Sequence, residues 1–195
     1  MKFTAKTLFG LEGILADELV SLGARNVQPV NRAVLFEGTK ELMYLINYRS
    51  FLSLSVLRVV KEFQIRSKED LYRQSGETEW ERFMQVDNTF SVSSVVNSDI
   101  FDHSSYPGLV VKDAIADRFR KISGKRPSVD TADPDVIINL HISQKRVTIS
   151  LDSSGVPLYR RGYKKIQGAA PLNEVLAAGI LRLSGWNPSI PLIDP

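Results

Sequence analysis

Residues 3–23 read FTAKTLFGLEGILADELVSLG and contain a strand pattern followed directly by a helix pattern. Phe3, Ala5 and Thr7 alternate with polar neighbours, which is typical of a short strand. From residue 14 to residue 22 the apolar side chains recur at helical spacing, and Gly23 follows as a helix stop signal. The stretch therefore predicts a strand that leads into an amphipathic helix.

The same alternation continues downstream. Residues 26–31 and 33–37 are predicted to be two short strands, Thr39 can cap a second helix, and the β-branched run 51–60 closes the unit as a strand. The order βαββαβ is typical of a ferredoxin-like sandwich. We therefore predict an α+β protein with a ferredoxin-like unit over residues 1–60.

Residues 61–155 also mix helices and strands. The residues Leu109–Ile122 form the clearest helix, with one apolar stripe, and short helices are predicted at 68–74 and 78–84. Alternation predicts a strand at 90–96. The strands predicted at 135–143 and 145–152 form an antiparallel hairpin around Gln144.

Residues 156–195 differ in character. A basic segment precedes a helix predicted from about Pro171 to Ser184, and residues 191–193 resemble the start of a buried strand. The apolar side of this helix lacks a sheet to cover it. We expect the helix to be poorly ordered, packed on a neighbouring copy, or folded back on residues 61–155.

Composition excludes several classes of protein. The chain has no cysteine, which excludes thiolate catalysis and Cys-ligated metal sites. No uncharged run exceeds 11 residues, which is too short for a membrane span, and acidic residues occupy the region where a signal peptide needs an apolar core. We therefore expect a cytoplasmic protein with no membrane partner.

Candidate catalytic groups are few. Asp130, Asp133 and Asp135 could form a carboxylate metal site, but a polar loop that bonds its own backbone is the favoured interpretation. His103 and His141 lack a nucleophile and an orienting group from separate elements, and no glycine-rich phosphate-binding motif occurs. We therefore predict neither a catalytic residue nor a metal site.

Two basic clusters give the strongest local signal. The first comprises Lys112, Arg118, Arg120, Lys121, Lys125 and Arg126. The second comprises Arg160, Arg161, Lys164 and Lys165, interleaved with Tyr159 and Tyr163. Such clusters either bind the phosphates and unpaired bases of nucleic acid or form solvated faces.

Six short segments form a recognisable set: GLEGIL (10–15), VVKDAI (110–115), RPSVD (126–130), LDSSG (151–155), RRGY (160–163) and APLNEVLAA (170–178). Together they resemble the N-terminal half of the THUMP-containing rRNA guanine-N2 methyltransferases of bacteria. The resemblance implies a ferredoxin-like domain at 1–60 and a THUMP RNA-binding domain at 61–155. It further implies that 156–195 are a basic linker and the first helix of a Rossmann-like methyltransferase domain that is otherwise absent.

The resemblance also implies S-adenosylmethionine as the cofactor of the full-length protein. Asp194 and Pro195 match the start of the family's D-P-x-C-G-S-G cofactor loop, and no N/D-P-P-Y/F catalytic motif is present. A partial half-site would lie near Tyr163, Pro171, Glu174 and Asp194. We expect this fragment to be inactive and to bind no cofactor by itself.

The function implied is to position structured 23S rRNA for a catalytic domain beyond residue 195. An RNA-binding or ribosome-assembly module without a methyltransferase role is the alternative. On charge clustering, the candidate RNA contacts are Lys112, Lys121, Lys125, Arg126, Arg160, Arg161 and Lys164.

Overall fold

A computed structural model describes residues 1–162 and 171–193. The chain forms two compact units, one comprising Met1–Arg58 with Val156–Pro195 and the other Val59–Gly155. We call them unit 1 and unit 2.

Unit 1 has the predicted βαββαβ order, followed by a later helix. Its elements are β1 (Lys2–Lys6), α1 (Glu12–Ser21), β2 (Arg25–Val30), β3 (Ala33–Glu37), α2 (Lys40–Arg49), β4 (Ser55–Gln64), which continues past the unit boundary, and α5 (Glu174–Leu183). The strands pair in the order β2-β3-β1-β4, and every pairing is antiparallel. This arrangement confirms the predicted ferredoxin-like unit.

Local signals fix the ends of the first two helices. Gly23 adopts a positive φ of 100° after α1, and its N–H donates to the carbonyl of Val20 at 2.9 Å. A left-handed residue here costs glycine little because it has no Cβ. At the start of α2, the Thr39 hydroxyl accepts from the N–H of Leu42, as predicted.

The core of unit 1 lies between its helices and one face of the sheet. Phe3 and Phe36 are register partners, and their rings stack at 5.3 Å between centroids. Leu15, Leu19 and Ile46 are completely buried against this layer. Burying each large apolar side chain stabilises the fold by about 1.5–3 kcal/mol, so this core is the main source of stability for unit 1.

Unit 2 is built on a mixed sheet. Its elements are α3 (Lys68–Gly76), a 3₁₀ turn (Trp80–Arg82), β5 (Thr89–Asn97), α4 (Tyr106–Ser123), β6 (Ser128–Val129), β7 (Val136–Ser143) and β8 (Arg146–Asp152). The strand order is β8-β7-β5-β6. The predicted β7–β8 hairpin is confirmed and turns at Gln144, whereas β5 pairs in parallel with both β7 and β6.

The core of unit 2 is formed by the inward faces of α3, α4 and the sheet. Its fully buried side chains include Leu71, Trp80, Phe90, Ile115 and Leu140. The apolar stripe predicted for α4 is therefore confirmed, although Ile122 at its end is exposed.

Two predicted elements are corrected. Residues 51–54 do not belong to a strand. Here the Ser50 hydroxyl donates to Glu18, lies 2.7 Å from the Ser53 hydroxyl and accepts from the Ser53 N–H, so side chains bond this segment locally before β4 begins. Of the helix predicted at 78–84, three residues form a 3₁₀ turn. The indole N–H of Trp80 donates to the carbonyl of Ser75 and holds the ring in the core.

The last helix has a contact that the expectation did not include. α5 packs on α1 of unit 1, with Val175 and Gly179 buried, rather than on residues 61–155. A Cβ placed on Gly179 would lie 2.7 Å from Leu11 Cδ1, so the missing side chain permits the approach. Residues 191–193 form no strand, and Leu192 and Ile193 are exposed.

Candidate nucleic-acid interface

Helix α4 carries the first basic cluster. The helix ends at Gly124, which adopts a φ of 71° and donates its N–H to Arg120. Since the chain turns away at this glycine, Lys125 and Arg126 lie beyond the helix, in the loop that leads to β6. Helix and loop together place the basic residues of the cluster along one continuous stretch.

Three cations of this cluster are engaged by acids of unit 2. Arg118 donates to the carboxylate of Glu81 and, through Nη1 at 3.1 Å, to the carbonyl of Gly76. Its hydrogen bond lowers the pKa of the Glu81 carboxyl from 4.5 to about 2. Arg120 pairs with Asp117 at 2.9 Å, and Lys112 pairs with Asp113 at 3.3 Å.

The remaining cations are exposed at the exit of α4. Lys121, Lys125 and Arg126 are exposed, and among the described residues no acid pairs with any of them. Of the first-cluster residues predicted to contact RNA, these three are available, whereas Lys112 is half-buried and paired. We call Lys121, Lys125 and Arg126 the α4 exit cluster.

The second basic cluster also contains one cation that is bound within the protein and one that is exposed. The Arg161 guanidinium donates to the carbonyls of Asn47, Tyr48 and Ser50 at 2.6–3.0 Å, at the C-terminus of α2. Arg160 is exposed, with its guanidinium carbon 5.7 Å from the centre of the Tyr159 ring. The other predicted contact, Lys164, lies outside the described residues, as do Lys165 and Tyr163.

The predicted cofactor half-site is represented by Pro171 and Glu174, because Tyr163 and Asp194 fall outside the described residues. Pro171 is exposed and Glu174 is half-buried at the start of α5. The Asn173 side chain accepts from the N–H groups of Val175 and Leu176, so these first-turn donors are engaged. One carboxylate beside a capped helix end does not enclose a cofactor, and we derive no chemical step from it.

The aspartate group predicted as a polar loop has that structure. Asp130 accepts from the N–H groups of Ala132 and Asp133, and Asp135 accepts from Thr89 at 2.8 Å. Within residues 1–162 and 171–193, no three His, Asp or Glu side chains are grouped to hold a metal ion. None of the helices in this described part is long and apolar enough to cross a membrane.

Sequence reasoning missed an exposed set of aromatic residues in unit 1. Tyr44 and Tyr48 project from α2 with 56% and 80% of their surfaces exposed, and Phe9 and Phe51 are exposed in loops. Tyr44 and Tyr48 are four residues apart on α2 and alternate with the buried Met43 and Ile46. This helical spacing is the sequence signal that could have identified the two tyrosines.

Charge is also unevenly shared between the units. Unit 2 has 13 Lys and Arg against 15 Asp and Glu, a net charge of −2, whereas unit 1 has 12 against 7 and a net charge of +5. The positive residues of unit 2 therefore form local clusters on an acidic background, whereas unit 1 is basic as a whole.

Three domain families match the chain in order. The RlmL ferredoxin-like domain matches residues 2–52, the THUMP domain matches 66–152, and the RMKL-like methyltransferase domain matches 161–195.

Individual proteins agree with these matches. The ribosomal RNA large subunit methyltransferase K/L of Syntrophotalea carbinolica is 41% identical over 186 residues, which are 95% of this chain and 26% of that protein. A Listeria monocytogenes structure described as an N6-adenine-specific DNA methylase superposes with a TM-score of 0.84 at 27% identity, covering 97% of this chain and 50% of that one. The structure of SMU.472, described as a methyltransferase complexed with SAH, superposes with a TM-score of 0.82 at 26% identity, covering 97% of this chain and 50% of that one.

The chain thus spans between a quarter and a half of the length of these proteins. It contains a ferredoxin-like domain, a THUMP domain and the first part of a methyltransferase domain, in that order along the sequence.

Proposed function

We propose that the chain is the RNA-binding portion of an S-adenosylmethionine-dependent rRNA guanine-N2 methyltransferase. It would hold structured 23S rRNA while a longer methyltransferase domain modifies the base. Within this proposal the ferredoxin-like domain occupies 1–60, the THUMP domain 61–155, and the linker with the first methyltransferase helix 156–195.

The observation that carries the proposal is the α4 exit cluster within the THUMP domain. Its three cations are exposed and have no acid partner among the described residues, while Lys112, Arg118 and Arg120 earlier on α4 are each neutralised. Exposed cations of this kind neutralise phosphates and release counterions, which gives RNA affinity and strong salt dependence. The methyltransferase-domain match at 161–195 favours this role over an assembly module without a methyltransferase partner.

The apolar side of α5 supports a longer methyltransferase domain. Leu176, Ile180 and Leu183 follow helical spacing and are between 37% and 62% exposed. In a complete domain this row would pack against the methyltransferase sheet.

Salt titration of binding to purified 23S rRNA tests the electrostatic grip. We expect log K to fall linearly with log salt, and replacement of Lys125 and Arg126 by alanine to reduce the slope by about 1 for each phosphate that is no longer neutralised. The matched control replaces Lys145 and Arg146, two exposed cations of the β7–β8 turn in the same unit. A flat salt dependence, or an equal loss in the control, would contradict the proposed interface.

The chemical part of the proposal needs the protein with its complete methyltransferase domain. With labelled S-adenosylmethionine and 23S rRNA, mass spectrometry of the digested product should identify N2-methylguanosine. Methyladenosine in its place would overturn the proposed base, whereas absence of methyl transfer to any RNA would overturn the enzyme class.

A further inference from the structure

One end of unit 1 exposes large aromatic side chains on neighbouring segments. Phe9 follows β1, Tyr48 lies in the last turn of α2, and Phe51 precedes β4, with exposed fractions of 75%, 80% and 60%. Single exposed aromatics are ordinary, but three at one place point to a binding surface.

Hydrogen bonds hold these segments side by side. The Thr7 hydroxyl donates to the carbonyl of Leu52 at 2.7 Å, and the N–H of Leu54 donates to the carbonyl of Lys6 at 2.8 Å. The loop that carries Phe9 is therefore fixed beside the loop that carries Phe51. Tyr48 is three residues before Phe51, at the end of α2.

The linker brings cations to the same end. The N–H of Leu158 donates to the carbonyl of Leu54 at 2.9 Å, and Arg161 is fastened to the last carbonyls of α2. Between these two anchors lie Tyr159 and Arg160, whose ring and guanidinium are in contact. Arg49, next to Tyr48, is exposed as well.

Two acids bond to these loops, and both are engaged. Glu12 accepts from the N–H groups of Gly10 and Arg32, and Glu18 accepts from the Ser50 hydroxyl and the N–H of Phe51. Both are half-buried and hold the backbone in place. The same loops and their neighbours carry four arginines, in a unit whose net charge is +5: Arg32, Arg49, Arg160 and Arg161.

We propose that this aromatic–arginine surface, formed by Phe9, Tyr48, Phe51, Tyr159, Arg49 and Arg160, stacks unpaired bases of the RNA. The inference rests on the proposed RNA-binding function and adds a second contact in the first unit. Aromatic faces stack on any base, and neighbouring arginines neutralise the adjoining phosphates, so the surface favours single-stranded RNA over duplex. The α4 exit cluster, whose cations contact no aromatic ring within residues 1–162 and 171–193, would recognise the phosphates of structured RNA instead.

The test compares two RNAs that share one hairpin, one blunt and one with an unpaired run of adenines that includes 2-aminopurine. The complete 195-residue chain should bind the extended RNA more tightly and change the 2-aminopurine fluorescence. Tyr48→Ala and Phe51→Ala together should weaken binding of the extended RNA about tenfold or more and abolish the fluorescence change. Binding of the blunt hairpin should remain unchanged.

Tyr44→Ala is the matched control, since Tyr44 is an exposed tyrosine of the same helix, one turn before Tyr48. Both affected side chains of the test variant are exposed, so its thermal unfolding should match that of the wild type. An equal loss in the Tyr44 variant, or an equal loss for both RNAs, would overturn the stacking surface. If the wild type binds both RNAs equally and the variants change nothing, the proposed stacking surface is wrong, whereas the proposed RNA-binding function is supported. If the chain binds neither RNA, both proposals fall.

Discussion

The basic clusters of the two units contain the same residue types but use them in two ways. In unit 1, Arg161 is fastened to three carbonyls at the end of α2, while its neighbour Arg160 is exposed. In unit 2, Arg118 bonds the carbonyl of Gly76 at the end of α3 and the carboxylate of Glu81, while Lys125 and Arg126 are exposed. Each cluster therefore contains one arginine that stabilises the fold and others that can meet a ligand.

The two fastened arginines differ in what balances their charge. The Arg161 guanidinium bonds carbonyl oxygens at the negative end of the helix dipole, whereas Arg118 also has a carboxylate partner. Because Arg161 serves three backbone acceptors and Arg118 serves one, removal of Arg161 should cost more than removal of Arg118.

The largest expected effect comes from Arg161→Ala. We expect the free energy of unfolding to fall by about 2 kcal/mol, since three backbone carbonyls lose a charged donor. Urea unfolding measures it, with Arg160→Ala as a control that should stay within about 0.5 kcal/mol. If Arg161→Ala leaves stability intact and weakens RNA binding instead, the distinction between the two arginines disappears.

A smaller loss is expected for Arg118→Ala, about 1 kcal/mol, because the side chain is partly buried but bonds an exposed acid. Arg120→Ala is the matched control in the same helix, where an exposed pair with Asp117 should contribute about 0.5 kcal/mol or less. Equal losses in the two variants would show that the bond to Gly76 contributes nothing of its own.

The smallest effect concerns pH. Hydrogen bonding to Arg118 lowers the pKa of Glu81 in the folded chain from 4.5 to about 2, so its stabilisation is complete above pH 4.5 and is lost as pH falls toward 2. Because the Glu81 side chain is 41% exposed, solvent screening should keep the effect below about 1 kcal/mol. Unfolding measured between pH 5 and 2 should show a shallower decline in Glu81→Gln than in the wild type; identical slopes would argue against the pairing.

Much of the fold could be predicted because local signals agree with the tertiary structure. The residue patterns predicted α1, α4 and the β7–β8 hairpin, where periodicity coincides with burial. Prediction failed where a side chain bonds to a distant segment. The Ser50 hydroxyl donates to Glu18, 32 residues away in sequence, and β4 begins only at Ser55.

The candidate site was predicted in part. Charge spacing located both clusters but predicted Arg160 and Arg161 alike as RNA contacts. The carbonyls that bind Arg161 lie more than 110 residues away in sequence, so no local pattern could reveal them. The exposed aromatics of unit 1 were missed because Phe9 lies about 40 residues from Tyr48 and Phe51, and only the hydrogen bonds of Thr7 to Leu52 and of Leu54 to Lys6 bring the two segments side by side.

By itself the sequence determined most of the helices and strands, including the βαββαβ order of unit 1, and the absence of cysteine chemistry, since these depend on residue type and spacing. Tertiary structure alone decided which cations remain exposed, where α5 packs and which aromatics share a surface. The physical reason is that hydrogen-bond acceptors and apolar partners are chosen by proximity in space, and chain folding brings together residues that no local pattern connects.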